Sequence, residues 1–179
     1  MIAPAQILVP IDFEPPSGVA LRYGGELASA FGAALHVLHV VGDTITLGTV
    51  PPAYGTEVDT VLRDLEAEAR ARLHDHMTRA DMPGVEIVEV VMTSTGPATG
   101  ILSYAGEHDI ELIVLGTHGR GAVAHLLRGS VSASVVRSAP CPVLTVRQSE
   151  RDWQVIRGQK SANPAVLRHV KSARRRTVA

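Results

Sequence analysis

The chain has 179 residues with a net charge of −1; 45% are hydrophobic and 20% charged, which predicts one globular domain rather than two. No run of about 18 apolar residues is present, which argues against a membrane span, and the N-terminal MIAPAQILVPIDF has no basic segment typical of a secretory signal. The single cysteine, Cys141, excludes an intrachain disulfide and a thiolate metal cluster, and it fits a reducing cytoplasm.

Apolar segments of strand length alternate with segments of helical periodicity. The predicted strands cover residues 7–11, 35–41, 85–92, 112–115 and 143–146. The first predicted helix has Pro16 in its first turn, Ala20, Tyr23, Leu27 and Phe31 on its apolar side, and Gly32 at its end. The second carries Val58, Leu62, Leu65, Ala69, Leu73 and Met77, the third opens at Gly96-Pro97, and the fourth covers residues 130–138. Residues 42–55 read as a surface loop.

This alternation predicts an α/β fold. Strands joined through helices pair in parallel by right-handed crossovers, so we expect one open sheet of five parallel strands with helices on both faces. Glu86 and Glu89 place the third strand near an edge of the sheet. Such sheets bind ligands beyond the carboxyl ends of the strands, where the strand order reverses. The residues that follow each strand are therefore the candidate binding residues.

A glycine-rich segment follows the fourth strand directly. It reads Gly116-Thr117-His118-Gly119-Arg120-Gly121, and Gly129-Ser130 stands at the start of the next helix. Glycines allow positive φ and let an anion approach the backbone amides, while Ser130 can cap the helix. The segment therefore predicts a phosphate-binding loop that leads into a helix N-terminus.

The glycine spacing is the most specific feature of the sequence. Gly116-x2-Gly119-x9-Gly129-Ser130 resembles, spacing included, the ATP-binding signature of the universal stress protein family. Residues 7–13 and 38–40 look like the first two strands of that family, Gly96-Pro97 like the opening of its third helix, and residues 139–143 like its last strand. The resemblance covers residues 5–146.

The resemblance implies a ligand and a set of binding residues. Asp12 would contact the ribose or a metal-bound phosphate, and the backbone of Val40 would bind the adenine edge. The implied ATP-binding residues are Pro10, Asp12, Val40, Gly116, His118, Gly119, Arg120, Gly129, Ser130 and Val131, with Asp12 also holding Mg²⁺ through a phosphate. The chain would then act as a nucleotide-dependent switch or sensor in a stress response. Its signal and its downstream protein partner are not identified by the sequence.

Each of these residues also has a plain structural alternative. Asp12 after a first strand is often a helix cap, residues 116–121 alone could be a connecting loop, and Ser130 could be only an N-cap. His118 could equally be a solvated loop side chain. His36 and His39 should face opposite sides of their strand, which argues against a metal pair. The conjunction of the glycine spacing with Asp12 favours nucleotide binding.

Missing residues argue against three nucleotide-dependent enzyme classes. A P-loop needs Gly-Lys-Ser/Thr, yet the first lysine is Lys160, and a Rossmann dehydrogenase needs Gly-x-Gly-x-x-Gly where this chain has residues 11–14, Ile-Asp-Phe-Glu. A receiver domain needs a lysine at the last strand. Arg120 or Arg128 could offset phosphate charge, but no residue stands out to activate water, so we expect slow or no ATP hydrolysis. The alternative function is a dimeric protein-interaction or chaperone-like module with an unused pocket.

The end of the chain differs in charge from the rest. Nine basic and two acidic residues follow Val146, a net charge of +7, while residues 1–146 hold eight basic and 16 acidic residues, a net charge of −8. This predicts a nucleotide-binding domain over 1–146 and a basic tail over 147–179, with a short helix near 164–175. A flexible solvated tail is the favoured interpretation, and a docking arm for nucleic acid or another acidic surface is the alternative. The resemblance also implies a homodimer through the last strand, residues 143–146.

Overall fold

The computed structural model describes residues 3–42, 55–117 and 131–147, with the backbone alone described for residues 55–59. The strands are β1 (Gln6–Pro10), β2 (Ala34–Gly42), β3 (Ile87–Ser94), β4 (Leu112–Thr117) and β5 (Val143–Arg147). The helices are α1 (Pro15–Phe31), α2 (Gly55–Ala80), α3 (Pro97–Glu107) and α4 (Val131–Ser138). The five strands and four helices predicted within residues 1–146 are therefore confirmed. The predicted loop over 42–55 lies outside the described residues except for Gly42, which ends β2, and Gly55, which begins α2. The basic tail, with its predicted helix near 164–175, lies outside them except for Arg147.

All five strands pair in parallel, in the order β3-β2-β1-β4-β5. This confirms the predicted open sheet and places β3 at one edge. The chain moves outwards from β1 to β3 and then returns to the other side of β1 for β4. The strand order therefore reverses between β1 and β4, where a parallel sheet opens a crevice beyond its strand ends.

Two layers of apolar side chains lie between the sheet and its helices. Successive strand residues face opposite sides, so Ile7 and Val9 lie in one layer and Leu8 in the other. The first layer joins the sheet to α1 and α2, and it includes Val19, Ala20, Leu35, Val37, Leu73, Met77 and Val114. The second joins it to α3 and α4, and it includes Leu38, Ile101, Tyr104, Ile113, Leu115 and Val135. Helices thus cover both faces, as predicted.

Helix α1 packs on the sheet through small residues rather than through its large ones. The predicted apolar side was wrong for Tyr23 and Phe31, whose side chains are 46% and 40% exposed. Gly24 faces the sheet instead, and a Cβ atom there would lie only 2.4 Å from Cγ2 of Val9. The glycine lets the helix backbone approach β1 closely. The helix ends at Gly32, as predicted, and this residue has a left-handed conformation (φ 68°).

Among the helices that the structure describes, none combines the length and the apolar character that a membrane crossing requires.

Candidate functional site

The crevice between β1 and β4 is bounded by several of the predicted binding residues. Pro10 is the last residue of β1, and Asp12 follows two residues later. Gly116 lies near the end of β4, the parallel neighbour of β1, and Val40 lies near the end of β2 on the other side. Four predicted residues are therefore at the same edge of the sheet. His118, Gly119, Arg120, Gly129 and Ser130 lie outside the described residues, so their predicted roles stay predictions.

The Asp12 carboxylate is exposed but held in place. Its Oδ1 accepts a hydrogen bond from the Glu14 N–H (2.9 Å) and lies 2.7 Å from the hydroxyl of Ser17, which is buried in the first turn of α1. The N-cap of α1 is Glu14, so Asp12 ties the helix start to β1 without being its cap. Within the described residues, Oδ2 of this exposed side chain has no hydrogen-bond partner, so one oxygen of a fixed carboxylate is available to a ligand.

Val40 continues β2 beyond the last paired residue of β1. The Ile11 N–H donates to the Leu38 carbonyl at 2.8 Å, so the backbone polar groups of Leu38 face β1. Residues two apart in a strand face the same neighbour, so the N–H and C=O of Val40 point to the same side. The Val40 side chain packs towards Gly100 of α3, in the second core layer. The Val40 backbone is thereby directed at the crevice.

The side chain of His39 takes the place of the next backbone hydrogen bond between β1 and β2. In a continued parallel ladder, the Ile11 carbonyl would accept the Val40 N–H. Instead, Nδ1 of His39 lies 2.9 Å from that carbonyl, which requires the proton on Nδ1. The imidazole thus satisfies the Ile11 oxygen, and the backbone of Val40 is left for another partner. Sequence reasoning missed this role because the contact joins residues 28 positions apart.

Phe13 follows Asp12, packs against the first core layer and has an unusual backbone conformation. Its φ is +63°, which is rare for a bulky residue. Its ring centroid lies 4.6 Å from that of His39 and 5.8 Å from that of His76, and the Arg72 guanidinium carbon is 4.1 Å from it. The pKa of His76 is lowered, first by burial and then by the charges of Arg79 and Arg72. The loop that carries Asp12 is therefore anchored to both β2 and α2.

Gly116 allows the start of α1 to contact β4. A Cβ atom at this position would lie 2.2 Å from the carbonyl oxygen of Pro16 and 2.8 Å from the nitrogen of Ser17. The glycine predicted for phosphate binding therefore also has a packing role that the sequence did not reveal. The hydroxyl of the neighbouring Thr117 donates to the Val146 carbonyl at 3.3 Å, which ties the end of β4 to β5.

Val131, the remaining predicted binding residue, is the first residue of α4. It is partly buried and packs against the second core layer, where Val135 is fully buried. No group of three or more His, Cys, Asp or Glu side chains suited to a metal is present in residues 3–42, 60–117 and 131–147.

A second polar cluster lies at the opposite end of the sheet. His36, near the start of β2, contacts the Tyr104 hydroxyl through Nδ1 and Oε1 of Gln6 through Nε2, both at 2.7 Å. Burial lowers the pKa of His36, with a further lowering from His108 and an opposing effect of Glu86. His36 faces α3 while His39 contacts Phe13, so the predicted opposite facing of the two histidines is confirmed.

Comparison with known proteins agrees with this geometry. The model of the Universal stress protein family matches residues 5–147. Universal stress protein YxiE of Bacillus subtilis is 32% identical over 146 residues, which are 79% of this chain and 98% of that protein. Among solved structures, universal stress protein UspA from Lactobacillus plantarum is 28% identical, with a TM-score of 0.65 over 80% of this chain and 97% of that one. A universal stress protein in complex with cAMP has a TM-score of 0.62 at 23% identity, over 83% of this chain and all of that one.

Proposed function

Because the chain belongs to the universal stress protein family, we propose that the crevice between β1 and β4 binds an adenine nucleotide, ATP with Mg²⁺, and that the bound nucleotide controls a stress-response switch. One observation carries the proposal: the fixed carboxylate of Asp12, just after β1, and the backbone of Val40, near the end of β2, lie at the same edge of the sheet with polar groups available to a ligand. A sugar and a base edge are the parts of a nucleotide that such groups bind.

Each part of the nucleotide has its own partner in this proposal. The adenine edge binds the N–H and C=O of Val40, and Asp12 accepts hydrogen bonds from the ribose or holds the Mg²⁺ ion on a phosphate. The phosphates lie against the glycine-rich segment that begins at Gly116 and ends at Ser130, with His118 and Arg120 beside them. The solved universal stress protein in complex with cAMP supports an adenine nucleotide for this fold.

The residues present suit Mg²⁺ as part of the ligand rather than as a resident ion. Mg²⁺ is held by one or two carboxylates together with phosphate oxygens and water, and Asp12 supplies one carboxylate oxygen free of hydrogen bonds to the described residues. When bound, the ion would neutralise phosphate charge. Asp12, which is held by Ser17 and Glu14, would orient the metal-bound phosphate even though few protein groups bind the ion.

The proposed role is binding with slow or no hydrolysis. Phosphoryl transfer to water needs a residue that orients the attacking water. In this proposal the carboxylate of Asp12 is held through Oδ1 by Ser17 and Glu14 and is directed to the ribose or the Mg²⁺ ion, so it is not assigned to an attacking water. A stable ATP complex suits a switch, because its state persists long enough to alter partner binding. Rapid ATP turnover that Asp12→Ala abolishes would contradict this role.

The proposed switch is a homodimer formed through β5. This strand lies at the edge of the sheet, and it exposes Leu144 (38%), while Val136 of the adjacent α4 is 52% exposed. Within the described residues the outer edge of β5 has no partner strand, and exposed apolar side chains beside such an edge favour pairing with a second copy. The same surface supports the second candidate function, a dimeric protein-interaction or chaperone-like module whose nucleotide pocket is unused.

Nucleotide retention and ligand-induced stabilisation separate the two candidates. One sample of protein purified without added nucleotide is denatured, and the supernatant is assayed for released ATP, ADP, AMP and cAMP. A second, folded sample is freed of bound nucleotide, and its Tm is measured with each of these nucleotides and with GTP. A ligand at 100 times its Kd stabilises the folded state by about 2.7 kcal/mol, which raises Tm by several degrees. If the protein is a nucleotide-dependent switch, ATP with Mg²⁺ should raise the Tm of the wild type, and Asp12→Ala should abolish this increase. A Tm unchanged by every nucleotide, in protein that carries none, would favour the interaction module.

A further inference from the structure

We propose that Phe13 is a positioning residue for Asp12, and that Arg72 of α2 holds it in place and so sets nucleotide affinity. The proposal rests on the nucleotide-binding function proposed above. It assigns a role to the contact between the loop after β1 and α2. None of the predicted binding residues lies on α2. The contact is formed by Phe13, His39, Arg72 and His76, named here the Phe13 clamp.

The conformation of Phe13 is the first observation. A bulky side chain at φ +63° is strained, and such strain persists only where surrounding contacts over-determine it. Asn, Asp or Gly would adopt this conformation more readily. The left-handed turn directs the Phe13 ring into the first core layer and leaves the Asp12 carboxylate exposed. A change in the backbone of Phe13 would therefore redirect the adjacent Asp12.

The contacts of the Phe13 ring are the second observation. One partner, His39, also donates its Nδ1–H to the Ile11 carbonyl, so it holds both flanks of Asp12. The other main partner is the Arg72 guanidinium, 4.1 Å from the ring centroid, a distance at which the cation attracts the π face. Arg72 of α2 and His39 of β2 therefore both contact the Phe13 ring.

The partners of Asp12 itself are the third observation. Ser17 and the Glu14 N–H hold one carboxylate oxygen from the α1 side, while the Phe13 clamp holds the preceding strand end and the following residue. Asp12 is thereby fixed from two directions before a ligand arrives. Preorganisation raises affinity because the ordering cost is not incurred on binding. Loosening the Phe13 clamp should then weaken nucleotide binding without removing any group that contacts the ligand.

The test compares Arg72→Gln with Arg70→Gln by calorimetric titration of ATP with Mg²⁺. Both variants remove one positive charge from the exposed side of α2, but Arg70 pairs with Glu66 and has no contact with Phe13. We expect Arg72→Gln to raise Kd about two- to fivefold, the range set by an exposed cation–π contact, while Arg70→Gln leaves it unchanged. Phe13→Leu, which keeps apolar bulk but loses the π face, should raise Kd similarly, and Phe13→Tyr should restore wild-type affinity.

A double-mutant cycle separates positioning from direct attraction of phosphate. If Arg72 acts through Asp12, Arg72→Gln has no further effect on Kd in the Asp12→Asn background. Equal effects of Arg72→Gln in both backgrounds would overturn the proposal, because the arginine would then act on the ligand independently. Wild-type binding with unchanged affinity in both Arg72→Gln and Phe13→Leu would also overturn it, and leave the proposed function standing. A wild-type protein that binds no nucleotide would overturn both.

Discussion

The backbone of Pro16 occupies the space that a side chain on Gly116 would fill, since a Cβ atom there would lie 2.2 Å from the Pro16 carbonyl oxygen. The first turn of α1 therefore lies directly against the end of β4, and the same turn carries Ser17, the partner of Asp12. Two sides of the proposed crevice are thus joined through one close backbone contact. The shape of the site depends on this contact as well as on the groups that would bind a ligand.

Gly116→Ala should destabilise the protein. The added methyl group meets backbone atoms, which cannot rotate away, so β4 or α1 must move at a cost of about 1–3 kcal/mol. Urea unfolding measures the change. The control is Gly106→Ala in α3, where an added Cβ meets nothing within 4 Å, so alanine should be neutral or stabilising by up to about 1 kcal/mol. Equal free energies of unfolding for the two variants would contradict the packing role of Gly116.

Ser17→Ala should weaken nucleotide binding as well as the fold. The buried hydroxyl lies 2.7 Å from Oδ1 of Asp12, and its loss costs about 1 kcal/mol of stability while it frees the carboxylate to rotate. We expect ATP affinity to fall several-fold in calorimetric titration. Ser103→Ala is the matched control, because Ser103 also donates to a carboxylate, that of Glu107, but on the exposed side of α3. An unchanged Kd in Ser17→Ala would exclude the positioning of Asp12 by Ser17.

Stability should fall as the pH drops below 6.5. Burial lowers the folded-state pKa of His36 below its usual 6.5, so the unfolded chain binds the proton more readily. The contribution of neutral His36 to the free energy of unfolding is therefore complete above pH 6.5. It is lost as the pH falls through the folded-state pKa, at up to about 1.4 kcal/mol per pH unit.

Urea unfolding between pH 7.5 and 5 tests this dependence. His36→Gln should flatten the curve in part, because the pKa of His76 is also lowered and its contribution has the same sign. A His36→Gln curve as steep as that of the wild type would contradict the account.

Thr145→Pro should prevent the proposed dimer. The Ile113 N–H donates to the Pro142 carbonyl, so Pro142 faces β4, and by alternation the Thr145 N–H faces the open edge of β5. Proline removes that edge-facing donor and is tolerated on edge strands, so the fold should persist. Sedimentation velocity at high micromolar concentration should show a dimer for the wild type and for the control Thr145→Val. A wild-type monomer under these conditions would remove the dimer from the proposal.

The fold was largely predictable because its signals are local. Apolar runs of strand length, the glycine at the end of α1 and the charged residues of β3 each act within a few residues, so the sheet and its helices follow from the pattern. The packing of α1 was not predictable from periodicity. Tyr23 and Phe31 have helical spacing, but the helix approaches the sheet along Gly24, where close backbone contact outweighs side-chain size.

The candidate site was predictable only where it depends on strand ends. That Asp12 and Gly116 lie at one edge of the sheet follows because parallel strands bring their carboxyl ends together. The residues that hold them were missed, since the contacts of Phe13 and His39 join distant parts of the chain. The positive φ of Phe13 runs against its intrinsic preference, so no local signal marks it. Only the three-dimensional arrangement reveals these supporting contacts.

The measurement that tests the central proposal most directly is calorimetric titration of ATP with Mg²⁺ into nucleotide-free protein, with Gly129→Val and Gly106→Ala alongside. A side chain at position 129 should block the approach of phosphate, whereas the change in α3 should not. We expect binding near micromolar Kd, about −8 kcal/mol, in the wild type and in Gly106→Ala, and its loss in Gly129→Val. No heat and no thermal stabilisation in wild-type protein free of bound nucleotide would contradict nucleotide binding.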